Sequence, residues 1–215
     1  MKRLFAFVAV SIGLMVGGIA QASAPVYDYL EFAWGDGEIE FGIDGLGSAD
    51  IDQDGFEIEG SMTILDGDMY LVGSYYDVDG DEFGLDIDTD GYEFGAGWIF
   101  NSGDNTSYDV SVRFRDDEYT LSDCTVICGF GLTDDADGLG FVAGVRSNVT
   151  DNVELFGRIG YYTSDYEGTV TLDLGAVFAV SDNFAISVSY EDFDFDDDGV
   201  EIELDLFQIG ARWYL

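Results

Sequence analysis

The residues of this chain that could do chemistry are carboxylates in large excess and a handful of arginines: 45 acidic side chains stand against 7 basic ones, with two cysteines and no histidine. Hydrolytic mechanisms that use histidine as the base are therefore excluded. A carboxylate pair acting on a glycosidic bond needs a defined separation, and among so many acids two near neighbours in sequence carry no information. What arginine does well is pair its fork of donors with a carboxylate. Arg113, Arg115, Arg146, Arg158 and Arg212 are the candidates, and their expected partners are Glu57, Glu59, Glu93, Asp109, Glu154, Asp173 and Glu191.

A second chemistry is suggested by "DIDQDG", "DVDGDE", "DIDTDG" and "DFDFDDDG". Spaced aspartates open calcium loops, where alternate carboxylates converge on one hard cation. After Asp50, Asp52, Asp54 and Gly55, however, the twelfth position is Ser61, and after Asp86, Asp88, Asp90 and Gly91 it is Gly97. The bidentate glutamate is missing both times. The expectation is an acidic, water-facing rim, with weak divalent-cation binding at Asp77, Asp79, Asp81, Asp86, Asp88 and Asp90 as the alternative. No other cofactor is expected. Cys124 and Cys128 in "DCTVICG" lack the further Cys or His ligands of a zinc site, and in an exported chain they are expected to form a disulfide.

The elements that must position these side chains are strands. Apolar residues recur with period two, the mark of a strand with one apolar face. In "YEFGAGWIF" Tyr92, Phe94, Ala96, Trp98 and Phe100 form one face, and in "YDVSVRFR" Tyr108, Val110, Val112 and Phe114 oppose Asp109, Ser111, Arg113 and Arg115. "VELFGRIGY" and "FAISVSYE" follow the same rule, as does the end of the chain, where Phe207, Ile209, Ala211, Trp213 and Leu215 share a face. By this alternation all five arginines and their candidate partners lie opposite the apolar face. The turns "LDGD", "FNSGDN", "NVTDN" and "VSDN" are tight. The intervening Asp-rich links, such as "GLGSADIDQDG" and "DVDGDEFGLDIDTDG", are long and read as loops.

Ten strands are expected, near residues 27 to 34, 55 to 65, 69 to 78, 90 to 100, 106 to 115, 138 to 147, 152 to 162, 169 to 180, 184 to 193 and 203 to 215; eight is the alternative. The first could extend through "WGDGEIEFGI". Short turns on one side and long acidic links on the other describe an all-β, transmembrane, antiparallel up-and-down β-barrel. A soluble sandwich shares the alternation but has no reason to segregate its connections. Aromatics gather near the run ends, at Trp98 and Phe100, Tyr161 and Tyr162, Tyr190, and Trp213 and Tyr214, as in the aromatic belts of membrane proteins. An open edge in lipid would leave backbone groups unpaired, so the last strand is expected to close on the first.

Residues 1–22 read as a cleaved signal peptide, with Lys2 and Arg3 ahead of a short apolar run and small residues at the exit; cleavage after Ala24 is the alternative. That leaves one domain over 23–215 with 7 − 2 = 5 basic and 45 acidic residues, a formal charge of −40. Such a chain repels nucleic acid.

With its leader, its units "VRSNVTDNVELFGRIGYY" and "LGAVFAVSDNFAISVSYE" and its ending "FQIGARWYL", the sequence resembles the small outer-membrane β-barrel proteins of Gram-negative bacteria, the porin-like group. The resemblance implies a monomer in the outer membrane with both termini periplasmic, in contact with lipid and lipopolysaccharide. It also implies recognition by the assembly machinery through the C-terminal strand, where family members commonly end in Phe or Trp and this chain ends in Leu215 after Trp213 and Tyr214. The expected role is structural or surface-interacting, with no catalysis and a charge-paired, largely filled lumen. A small cation-preferring channel is the first alternative, and divalent-cation-dependent binding through the acidic links the second.

Overall fold

A computed structural model of the chain describes residues 24–43, 47–82, 85–101, 104–123, 130–163, 168–197 and 200–215. The expected leader and the expected Cys124, Cys128 disulfide lie outside the described residues. Period-two alternation becomes ten strands: β1 (Tyr29–Ile43), β2 (Gly47–Ile64), β3 (Met69–Glu82), β4 (Leu85–Asn101), β5 (Thr106–Asp123), β6 (Phe130–Thr150), β7 (Val153–Tyr162), β8 (Val170–Ser181), β9 (Phe184–Asp197) and β10 (Val200–Tyr214). Each pairs antiparallel with the next, and β10 closes the barrel on β1, from Tyr29 opposite Tyr214 to Ile43 opposite Val200. The count is ten and not eight. The apolar C-terminal run is thus the seam of a closed sheet, the arrangement that leaves no strand edge unpaired.

The Asp-rich links are not the long loops the sequence suggests. β1 runs on to Ile43 in unbroken register with both neighbours, and β2 begins at Gly47. β3 and β4 stay paired out to Glu82 opposite Leu85, and β5 and β6 out to Asp123 opposite Phe130. Aspartate and glycine mark turns when they cluster, but here they alternate with residues that face inward. Ile51 and Gln53 are buried between exposed Asp52 and Asp54, and Ile87 and Thr89 are half-buried beside exposed Asp88 and Asp90. A tilted strand needs about 9–11 residues to cross the hydrocarbon layer, whereas β5 has 18 and β6 has 21. At about 3.3 Å per residue the surplus carries the wall on the order of 20 Å past that layer.

Around the lower wall, outward-facing side chains are large, apolar and exposed, among them Leu30, Phe32, Trp34, Phe94, Trp98, Phe141, Ile159, Ile209 and Trp213. A belt of this size on all sides has lipid as its natural solvent. Among the described residues no helix is long and apolar enough to cross a membrane. At the short-turn end the chain reverses through Leu65–Gly67, where Leu65, Asp66 and Gly67 all take positive φ. Small register shifts occur beside the turns at Asn148/Thr150 and Ala179/Ser181.

Candidate lumen charge network

Because successive side chains alternate across the wall, the residues opposite the lipid-facing set must share the bore. Arg113 Nη1 lies 2.6 Å from Glu93 Oε1, one strand away, and its Nε donates to Ser111 Oγ at 3.1 Å. Arg146 Nε donates to Glu154 Oε1 at 2.8 Å, with Nη2 of the same group at 2.7 Å. Arg212 Nε donates to Glu31 across the β1–β10 seam. Arg115 Nε donates to Asp117 Oδ2 at 2.8 Å, and its guanidinium lies 5.2 Å from the Tyr76 and Phe193 ring centroids.

The remaining arginine makes the longest reach. Arg158 on β7 lies 3.3 Å from Glu59 Oε2 on β2 and 3.5 Å from Asp173 Oδ2 on β8. In the ring of ten strands β2 and β7 stand five places apart in either direction, so the Arg158 to Glu59 pair is a strut across the full diameter of the bore. Tyr162 on β7 donates to Glu93 on β4, Tyr29 on β1 donates to Glu59 on β2, and Gln208 Nε2 on β10 donates to Glu57 Oε2 at 3.2 Å on β2. Glu191 is half-buried opposite Asp173 on the neighbouring strand. Asp109 accepts from Tyr70 at 2.7 Å and from Tyr27 at 3.1 Å.

The structure therefore brings Glu57, Glu59, Glu93, Asp109, Glu154, Asp173 and Glu191 to the same interior as the five arginines. Charges out of bulk water are costly unless paired and hydrogen-bonded, and the inward tyrosines provide much of that pairing. Sequence alternation passes over them because tyrosine counts as apolar in a period-two pattern. Tyr162, expected in an outer aromatic belt, is 3% exposed and faces inward. Glu31 and Asp117, also passed over, share the parity of Arg212's partner position and of Arg115, so the same rule could have found them.

Of the aspartates considered for calcium, Asp77 and Asp79 of β3 and Asp88 and Asp90 of β4 stand on the outer face. Asp77 lies opposite Asp90, Asp79 opposite Asp88 and Asp81 opposite Asp86. Partial desolvation, a hydrogen bond shared with Asp88 and the charges of Asp77, Asp88 and Asp54 hold the Asp79 carboxyl above its ordinary range. Among the described residues no three of His, Cys, Asp or Glu converge as metal ligands.

The sequence matches no protein-family model and no curated protein. Solved structures do share the fold. The transport unit of the autotransporter AIDA-I from Escherichia coli superposes with a TM-score of 0.54 at 8% identity, covering 97% of each chain. The translocator domain of autotransporter NalP from Neisseria meningitidis gives 0.50 at 11% identity, over 100% of this chain and 95% of that one. Ail, the attachment invasion locus protein of Yersinia pestis, gives 0.43 at 16% identity, over 87% and 99%. At such identities the likeness is one of fold: the chain has the closed up-and-down architecture of outer-membrane β-barrel proteins.

Proposed function

We propose that this chain is a monomeric integral outer-membrane protein with a structural or surface-interaction role, no catalytic activity and a lumen filled by its own ion pairs. The observation that carries the reading is the Arg158 to Glu59 strut, which spans the bore between opposite strands. Tyr162 to Glu93 and Gln208 to Glu57 add further bridges between non-adjacent strands. A ten-stranded barrel is only slightly wider than the eight-stranded size that side chains just fill. Lipid and lipopolysaccharide are the proposed surroundings of the apolar belt, the termini belong on the periplasmic side with the short turns, and β10 is the segment offered to the assembly machinery.

A second reading is a small cation-preferring channel, favoured by inward carboxylates more numerous than the five arginines. Planar-bilayer recording of the purified protein separates the two. The filled interior expects a silent membrane; reproducible unitary currents with cation preference would replace it by the channel. Cation-dependent surface binding rests on the opposed aspartates of β3 and β4, and calorimetric titration with millimolar calcium tests it: a flat titration removes it.

A further inference from the structure

We infer that residues 24–28, which precede β1, form a strap closing the mouth of the barrel at the short-turn end, with Tyr27 as its stopper. The inference rests on the filled-lumen reading for what lies behind the stopper, and on its own geometry for the closure.

The strap is anchored on one side of the mouth. Asp28 accepts from the Thr63 backbone N–H at 2.6 Å and from the Thr63 hydroxyl at 2.8 and 2.9 Å, and its carbonyl accepts from Leu215 N–H at 3.1 Å. One residue earlier, Tyr27 crosses to the far wall. Its hydroxyl donates to Asp109 Oδ2 at 3.1 Å and lies 3.0 Å from Ser107 Oγ, both on β5. Its ring centroid is 5.2 Å from that of Tyr70 on β3, and the Arg146 guanidinium of β6 lies 4.5 Å above it. β5 and β6 stand four and five places from β1 in the ring, so one side chain joins nearly opposite walls.

Burial supports closure independently. Ser107 and Asp109 lie within the first four residues of β5, beside a short turn whose Asp104 is exposed, yet they are 1% and 5% exposed. An open mouth would wet them. Tyr27 is itself 6% exposed and packs with Tyr70, Val72 and Ile99, while neighbouring Val26 is 43% exposed. Since the strap lies outside every strand, it can leave without breaking a ladder bond between strands. It thus acts as a removable stopper, keeping water and ions at that end away from Asp109 and Arg146.

The test is thiol labelling of folded protein in detergent by a charged methanethiosulfonate, on a Cys124→Ser, Cys128→Ser background. Ser107→Cys is expected to react at least tenfold more slowly than the turn control Asp104→Cys, and to lose that protection when Tyr27→Ala is added. Tyr27→Leu, which keeps an apolar contact with Tyr70 but drops the bonds to Ser107 and Asp109, serves if the alanine variant lacks the heat-modifiable folded band. Ser107→Cys reacting as fast as Asp104→Cys with Tyr27 present, or staying protected in a folded Tyr27 variant, overturns the strap. Bilayer currents distinguish the two readings. A silent wild type together with fast labelling of Ser107→Cys defeats the strap and keeps the filled interior; currents from the Tyr27 variant alone keep the strap and defeat the filled interior.

Discussion

The barrel has two storeys with opposite chemistry on the same strands. In the lower one, Phe94 and Trp98 of β4 point outward and are exposed, while Glu93 is buried beside Arg113. In the upper one, Asp88 and Asp90 of that strand point outward and Ile87 and Thr89 inward. The lower bore is held by ion pairs and tyrosine hydroxyls. From Val142 and Tyr162 in the lower bore, apolar packing runs up to Phe193, Ala136 and Leu204, with Ile51 and Leu206 also buried. The upper storey is thus built as a water-soluble barrel and the lower as a membrane barrel. Alternation makes the strand in both; the solvent outside decides which set faces out.

Arg115 sits where the two meet, pairing downward chemistry with upward chemistry: Asp117 for its charge, and the Tyr76, Tyr162 and Phe193 rings for its flat faces. A guanidinium can serve both because its plane is weakly hydrated and its edge carries the donors.

The largest effect is expected in the lower bore. Arg158→Leu leaves Glu59 and Asp173 without their cation, and removing one partner of a buried pair costs about 3–5 kcal/mol. Loss of the heat-modifiable folded band on gels, or a lower urea midpoint, is expected; an unchanged midpoint would count against the interior lattice. In the upper bore, Phe193→Ala should cost about 3 kcal/mol through the cavity it leaves and the lost stacking on Arg115. Urea unfolding checks this too, and a neutral result would mean that the upper bore is not a packed core.

The outer faces give a sharper contrast. Phe94→Arg should destabilise the barrel in lipid bilayers by about 2–4 kcal/mol, the range for a basic residue at mid-membrane. Asp88→Arg, on the same face of the same strand, should be neutral or slightly stabilising because it relieves the opposition of Asp79. Equal penalties at the two positions would erase the boundary between the storeys.

The smallest effect concerns acidity and salt. A carboxyl whose proton affinity is raised in the folded state holds its proton more tightly there, so its contribution to stability is greatest at low pH and declines as pH rises through the raised value. The direction for Asp79 therefore predicts stronger hydrogen-exchange protection of the outer β3–β4 ladder at pH 4 than at pH 7. Added salt should narrow the difference by screening the aspartates; protection that rises with pH would reverse the sign and refute the account.

Much of the architecture was legible. The apolar faces of β4, β5, β7, β9 and β10 follow the alternation, and the turns at "LDGD", "NVTDN" and "VSDN" separate strands as their composition suggests. The outer storey was not legible, because Asp-Gly clusters carry the signature of turns and weak β-propensity. Neighbouring strands override that propensity, extending β1, β2, β3 and β4 through residues that would not pair alone. "DIDTDG" shows the ambiguity best: a calcium-loop spacing and a strand with carboxylates on its wet face both put aspartate at every second position.

By itself the sequence determined which residues share a face, since side chains alternate across any strand whatever it packs against. It therefore determined that the five arginines keep company with Glu59, Glu93, Glu154 and Asp173 and not with Trp98 or Phe141. Only closure of the sheet decided which of them meet. Arg158 reaches Glu59 because β7 and β2 are carried to opposite sides of one ring, and Tyr27 finds Asp109 because the mouth is narrow enough for one side chain to cross. Distances between strands far apart in order are properties of the closed ring, and no local pattern along the chain encodes them.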